Sequence, residues 1–549
     1  MSPYVRRVRT ASGAVAVQVA EKIDGKVRVI KHVGSAHTDG ELAVLHEIGV
    51  RLIRPGQGLL DIDIAPQVSV DDVANWTKKE DQPKKRGRGP GSASGGKTVG
   101  SAARLLWEVL QDSYRRLGFD TAIDDDAFEQ MVLARLVKPT SKLACIEVLE
   151  SIGIKPKSYA TLKRCLTRIN DDDYRERVAQ ACFSHVLTKG DLSLVLYDVT
   201  TLYSSADEED DLRKVGFSKE RRVDPQVVVG LLVDRGGFPL EVGCFQGNMA
   251  ETLTILPMVR QFQERYDLAD VVVVADAGML SATNLKALEE AGLFFIVGSR
   301  QTKAPLDLAN HFHWQGNDFS DGDIIDTTTW KRRPVTKGGK DAKTQSILSS
   351  PTQPPWDPDT QPNQWRAIWK YSHKRALRER KTLQAQQDRA RDIVEGKKSA
   401  KRARFVKANS RGQTFDQEAY EKAVSLSGLH GYVTNIPKTI MAPTQVINDY
   451  HDLWHVEQSF RITKHDLAAQ PMFHHTRDAI EAHLTIVMAS LAVSRELYAR
   501  TGIPTPKLVR QLRKLTTSIV NINGETLEFP PHLNKKDQKL LNSLTATGY

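Results

Sequence analysis

At 549 residues the chain is longer than one hydrophobic core fills, about 250 to 300 residues, so several units are expected. A net charge of +10 and a sequence pI near 9.2 suit a partner that carries phosphates, although charge alone sets only non-specific affinity. Cys145, Cys165, Cys182 and Cys244 form no C-x-x-C pair, which excludes a zinc ribbon or a disulfide framework. The opening MSPYVRRVRTASG lacks a signal-peptide core and no run reaches the roughly 18 apolar residues of a membrane span, so a cytoplasmic protein with no membrane partner is expected.

Residues 1–77 alternate β-like runs, AVAVQVAEKI and KVRVIKHVG, around an Asp24-Gly25 turn, and read as a β-containing N-terminal module that binds DNA, with Arg6, Arg7 and Arg9 available for phosphates. Residues 78–100, KKEDQPKKRGRGPGSASGGKTVG, are basic and nearly free of large apolar side chains, as in a flexible linker. Within it, Gly91 to Thr98 matches the phosphate-loop pattern G-x-x-x-x-G-K-[ST], with LVLYD as a candidate partner strand, which raises an ATPase as a rival reading. That loop needs a buried strand before it, and KKRGRGP is none. Residues 101–190 carry apolar positions three and four apart in LLWEVLQDSYRRLGF, DDAFEQMVLARLV and YRERVAQACFSHVL, and predict a helical domain.

Residues 191–298 change period. An apolar run ends at Asp198 in LSLVLYDVTTLY, strands follow at PQVVVGLLV and LEVGCFQG, and VVVVADAGMLS brings a second apolar run to Asp276. Helices around 252–266 and over SATNLKALEEAG, then the strand FFIVG, complete an α/β pattern of a mixed sheet wrapped by helices. In such a sheet the first and fourth strands can lie parallel and adjacent, which would join the ends that carry the two aspartates. Residues 299–430 break the alternation and read as an insertion, with Trp314, Trp330, Trp365 and Trp369 and a basic helical run from Lys370 to Lys407 suited to DNA. The tryptophans are candidates for stacking on an extruded base, against the plainer reading of insertion core.

Residues 431–500 resume the core at GYVTNI. A helix from about Thr444 carries Tyr450, Glu457 and Lys464 seven residues apart, about 20° short of two turns, so they form one row. Val446, Leu453, Val456, Phe460 and Leu467 form an apolar row beside it that can bury the helix against the sheet. His451 and His455 stand at i and i+4, a zinc-capable spacing, but without the H-E-x-x-H order; His474, His475 and His483 show no ligand pattern. IEAHLTIVMASLAVSREL predicts an apolar helix on the sheet, and residues 501–549 mix helix and turn signals. Three convergent acids, Asp198, Asp276 and Glu457, suit two divalent ions about 3.5 to 4 Å apart and phosphodiester chemistry. Singly, each acid reads better as a strand-end or solvated residue.

With these residues the chain resembles the DDE transposases of bacterial insertion sequences, in the group with a long insertion before the Glu. The signature Y-x2-R-x3-E-x6-K is met by Tyr450, Glu457 and Lys464, with Leu453 where the family has Arg. Similar members also carry DVTTLY, VADAGMLS, PQVVVGLLVD and a GN-x-x-E-T turn, here Gly247, Asn248, Glu251 and Thr252. The resemblance implies an RNase H-like, retroviral-integrase-like core with Asp198, Asp276 and Glu457 as catalytic residues and ligands of two Mg²⁺ ions, Mn²⁺ substituting. Tyr450 and Lys464 would hold the phosphate beside the scissile bond, and Arg461, one turn past Glu457, is the expected substitute for the missing Arg. It further implies double-stranded DNA as partner, both terminal inverted repeats and target, a homodimer in the synaptic complex, and a prokaryotic, nucleoid-associated location. The rival of another class is a domesticated DNA-binding relative without catalysis.

Overall fold

The computed structural model describes residues 3–9, 15–23, 26–36, 45–46, 53, 97–190, 192–205, 208–217, 223–268, 271–278, 281–332, 355–399, 403–409, 412–522 and 525–545. The chain divides into two compact units, Met1–Ser92 and Ala93–Tyr549.

In the first unit β1 (Tyr4–Arg9), β2 (Val15–Ile23) and β3 (Lys26–Ala36) form an antiparallel sheet in chain order. Ile23 pairs with Lys26, so a two-residue connection closes the expected hairpin. Asp24 and Gly25 themselves lie outside the described residues. Val17 and Leu45 make a small core with Val5 and Val33 against them, and Arg6 Nε donates to Gln18 Oε1 at 2.9 Å.

The linker expected over 78–100 lies outside the described residues as far as 96. Its end does not: β4 (Lys97–Ala102) is a strand. The helical stretch follows as α1 (Arg104–Arg116), α2 (Phe119–Ile123), α3 (Asp126–Val137), α4 (Lys142–Ser151), α5 (Tyr159–Asp171) and α6 (Tyr174–Leu187). Asp125 caps α3 by accepting from the Ala127 and Phe128 amides, and also accepts from Arg168 and Tyr174, which ties three helices together. The Arg168 guanidinium and these amides hold its carboxyl below the ordinary value despite burial, which alone would raise it.

The strands that follow are β5 (Leu194–Tyr203), β6 (Gln226–Asp234), β7 (Pro239–Gln246), β8 (Val272–Ala275) and β9 (Phe294–Ser299). Helices α7 (Ile255–Tyr266) and α8 (Ala282–Glu290) connect β7 to β8 and β8 to β9. Next come the short α9 (Ala304–Asp307) and α10 (Ala309–Gln315), then β10 (Ile324–Trp330), β11 (Gln364–Tyr371), α11 (His373–Val394), β12 (Val406–Asn409), β13 (Gly412–Phe415), α12 (Gln417–Ser425) and β14 (Leu429–Thr434). Eight of these strands make one mixed sheet in the order β10-β11-β14-β9-β8-β5-β6-β7. Only β5–β8 and β8–β9 are parallel, as two strand-helix-strand units produce. The central strands are buried on both faces, which is why they read as unbroken Val and Leu runs.

Residues 299–430 therefore do more than interrupt the core: they add β10 and β11 to the same sheet. The fully buried Arg366 fixes this edge by a forked contact to Asp326 and by donating to the Ile436 and Met441 carbonyls. Trp365 and Trp369 are fully buried as well. The basic helix α11 turns Leu383 and Ala390 onto Phe405 and leaves its Lys and Arg side to solvent.

The C-terminal part comprises α13 (Pro443–His451), α14 (Trp454–Arg461), a π-helical turn over Ile462–Asp466, the long α15 (Arg477–Thr501) and α16 (Thr505–Leu512). Then β15 (Thr517–Ile522) pairs with both β4 and β16 (Glu525–Phe529), ahead of α17 (Lys535–Thr545). Almost wholly buried, α15 packs on α3, α5 and β7, so its apolar run serves to join the helical stretch to the sheet. No helix among the described residues is long and apolar enough to cross a membrane.

Candidate active site

Register brings the two aspartates together. The parallel β5–β8 ladder ends on the pair Tyr197 and Ala275; the next residue on each strand is Asp198 and Asp276, half-buried and exposed respectively. The chain must turn away after β8, and it does so with the Ala277 amide donating back to Asp276 Oδ1 at 2.7 Å.

Tyr450, at the end of α13, reaches this point. Its hydroxyl donates to the same Asp276 Oδ1 at 2.9 Å, and its ring stands edge-on to Tyr432 with centroids 5.0 Å apart. Gly298 on β9 makes the room: a Cβ there would lie 2.6 Å from the Tyr450 hydroxyl oxygen. Burial first, then the Asp276 charge, with a smaller contribution from Glu457, pushes the Tyr450 hydroxyl well above its ordinary pKa, so it stays a donor. That influence puts Glu457 within electrostatic reach of Tyr450.

Glu457 sits in the first turn of α14, exposed, on a helix that packs across β5 and β6. The single helix expected through Tyr450, Glu457 and Lys464 is not formed. Around 452–453 the backbone tightens, with Leu453, His455 and Val456 amides bonded to the carbonyls three residues back, and after Arg461 it widens into the π turn. The apolar row holds nonetheless, since Val446, Leu453, Val456, Phe460 and Leu467 are all buried. Leu453 could carry no Arg function from that position. Lys464 lies half-buried in the π turn, and Arg461 is exposed at the end of α14.

Two arginines that the sequence reading passed over hold this region. Buried Arg495 of α15 donates to the His455 carbonyl at 2.9 Å, to Gln458 Oε1 at 2.9 Å and to Ser459 Oγ at 2.7 Å, residues on both sides of Glu457. Its Nε also donates to the Gly237 carbonyl at 3.0 Å, where φ of +82° and the approach of the guanidinium both require glycine. Arg235, from the β6–β7 turn, ion-pairs with Asp449 and, at 3.0 Å, with Asp452, across the tight turn. A charged residue inside the apolar run IVMASLAVSREL was the available signal for Arg495.

Among the described residues no group of three or more His, Cys, Asp or Glu side chains stands close enough to hold a metal ion. The donor chemistry still fits a hard divalent cation: two carboxylates on neighbouring strand ends, one of them exposed, and a third in reach of the same tyrosine. His451 and His455 fall on separate helices and join no such group. In the phosphate-loop pattern Lys97 and Thr98 would open a helix; here they lie in β4, paired with β15, which removes that reading. Of the tryptophans, Trp365 and Trp369 are core, whereas Trp454, 52% exposed and three residues before Glu457, lies tilted by 32° against His455 with ring centroids 3.7 Å apart.

A family model described as transposase DDE domain matches residues 190–493, which span both aspartates and the glutamate. No curated protein matches the chain. Among solved structures it is similar to a piggyBac transposase synaptic complex with hairpin DNA, determined by cryo-EM, with 8% identity over 76% of this chain and 81% of that one and a TM-score of 0.37. It is also similar to a Mos1 transposase paired-end complex with the left transposon end, with 13% identity over 45% of this chain and 70% of that one and a TM-score of 0.14.

Proposed function

The chain belongs to the transposase DDE domain family, and from that premise we propose that Asp198, Asp276 and Glu457 are its three catalytic carboxylates, acting on the ends of a mobile DNA element. The mixed eight-stranded sheet fits the RNase H-like α/β core of such an enzyme. One observation carries the residue assignment: the parallel β5–β8 register ends one residue short of two adjacent aspartates.

The carboxylates would hold two divalent ions, Mg²⁺ or in its place Mn²⁺. Bound there, such ions polarise the phosphate and activate the attacking oxygen. Asp198 and Asp276 form the fixed pair, and Glu457 joins them from α14. Tyr450 orients Asp276 through its hydroxyl bond, and Lys464 provides a point charge for the phosphate beside the scissile bond. Water then breaks the phosphodiester at each element end and leaves a 3′-hydroxyl, which attacks a target phosphodiester and takes the place of its leaving 3′-oxygen. Double-stranded DNA, with terminal repeats and target, is the substrate, and two copies of the chain bring the two ends together. The net charge of +10 supports that partner. The setting is the nucleoid of a prokaryotic cytoplasm, and the group is the insertion-sequence transposases with the Y-x2-R-x3-E-x6-K signature. For the Arg absent at Leu453, Arg461 offers a solvent-facing guanidinium, whereas Arg235 is held by two carboxylates.

The test is Mg²⁺- or Mn²⁺-dependent cleavage of a duplex that carries the gene's flanking ends, with wild type, Asp198→Asn, Asp276→Asn, Glu457→Gln and Lys97→Ala. Cleavage by wild type and Lys97→Ala, with none by the three acid variants, is expected. Acid variants that cut like wild type would remove the assignment. Ends bound but never cut by wild type would favour a non-catalytic relative.

A further inference from the structure

A cavity of about 320 Å³ opens between the start of α4 and the loop that leads from the π turn to α15. Its polar lining is cationic or neutral: Arg135, Lys142, His474, His483 and Ser141 take part, and no Asp or Glu is among the residues around it. Arg135 donates through Nη1 to the Leu467 carbonyl at 2.6 Å, and its Nη2 lies 3.4 Å from His483 Nδ1. His483 Nε2 is 3.1 Å from the Ala469 carbonyl, so its proton belongs on Nε2 and its Nδ1 accepts from Arg135. The histidine is thus satisfied while neutral and brings no negative charge. Among the described residues no carboxylate acts on the charge of Arg135 or of Lys142; the Arg135 charge itself bears on Lys142.

Two cations gathered at a partly buried cavity without a counterion are costly unless an anion completes the site. Burial holds both side chains below their ordinary pKa values, the Arg135 charge adding to the effect on Lys142, and His474 is held down to about 4 by burial and then by Lys142 and Arg135. An anion would relieve all three.

We propose that this cavity receives a backbone phosphate of the bound DNA, held between Arg135 and Lys142. The inference rests on the transposase reading and adds a second contact point, outside the acids, that fixes how the duplex lies. The loop that lines the cavity is tied to the strand of Asp198: the Met472 amide donates to the Tyr203 carbonyl at 3.0 Å, and Ser205 donates to the Met472 carbonyl. Six residue steps lead from Asp198 along β5 to Ser204 just past its end, about 20 Å, a span that one DNA strand covers in about six phosphates. Phe473, 69% exposed, stands at the rim as an apolar face for the neighbouring sugar or base.

The experiment measures affinity for an end-bearing duplex over a range of salt, without divalent ions, for wild type, Lys142→Gln, Lys142→Arg and Arg135→Gln. Lys142 opens a helix and has no carboxylate partner among the described residues, so Lys142→Gln should melt like wild type and serves as the decisive variant even if Arg135→Gln unfolds. Expected are several-fold weaker binding by Lys142→Gln, a salt slope shallower by about 0.9, and recovery in Lys142→Arg. Unchanged affinity and slope in Lys142→Gln would overturn the proposal while leaving the transposase reading to the acid variants. In a second arm inorganic phosphate is titrated against melting temperature. Stabilisation that Lys142→Gln abolishes, together with unaltered DNA binding, would assign the cavity to free phosphate and overturn the DNA contact. A wild type that binds no duplex overturns both readings.

Discussion

Tyr450 and Asp276 are joined by a hydrogen bond of 2.9 Å between the end of α13 and the end of β8. It holds one acid's orientation while the opposite oxygen stays available. A bond to a charged group is worth about 1.5 to 3 kcal/mol, so Tyr450→Phe, which keeps the ring against Tyr432, should slow single-turnover cleavage about tenfold or more at saturating metal. The melting temperature should fall by only a few degrees, as the loss of one such bond implies. Cleavage at the wild-type rate would show that Asp276 needs no such support.

Gly298 permits that bond. A methyl group there would stand 2.6 Å from the Tyr450 hydroxyl and 3.1 Å from Ala277 Cβ, and the tyrosine must yield. Gly298→Ala should therefore reproduce the Tyr450→Phe defect. In the double variant the two losses should not add, because both remove one interaction. Fully additive losses, each near tenfold, would separate the glycine from the tyrosine.

Much of this site was legible because strand ends advertise themselves. An apolar and aromatic run marked β5 and a β-branched run marked β8, and the order of three strands followed by helix-strand repeats allowed them to lie parallel, which is enough to bring Asp198 beside Asp276. The apolar row from Val446 to Leu467 was equally readable, since burial of one face survives local changes in helix pitch. The tight turn at 452–453 and the π turn after Arg461 were not, for they depend on carbonyl partners and on Arg235 from a distant hairpin. Nor could composition reveal that 299–430 extends the sheet: Trp365 and Trp369 read mainly as the core of an insertion, and they are core, but on β11, which lies between β10 and β14 in the shared sheet.

Arg495 binds three residues around Glu457 through carbonyl, side-chain amide and hydroxyl oxygens, so it acts as a positioning residue for α14. Arg495→Met would leave four acceptors without their donor, at a cost on the order of 2 to 4 kcal/mol in stability. The more telling variant is Arg495→Lys, which keeps charge but loses the fork. It should raise the Mg²⁺ concentration for half-maximal cleavage several-fold, with little change in duplex affinity measured without metal. A purely structural role would lower the melting temperature and leave the metal dependence of the folded fraction untouched.

His474 and His483 give the fold an acid limit. Burial first, then Lys142 and Arg135, holds His474 down to about 4, and His483 is held well below its ordinary value by burial, Arg135 and His474. In the unfolded chain both titrate near 6.5. Between 6.5 and the folded value the unfolded state binds more protons, so stability is full above that window and declines as pH falls through it, by up to about 1.4 kcal/mol per pH unit for each histidine. Denaturation at pH 7.5, 6.5, 5.5 and 4.5 should show this decline, and His474→Gln, which cannot take up the proton, should make it shallower by one proton. An equal slope in the variant would mean that His474 is charged in the folded protein, and the cavity beside it less cationic in demand than its lining implies.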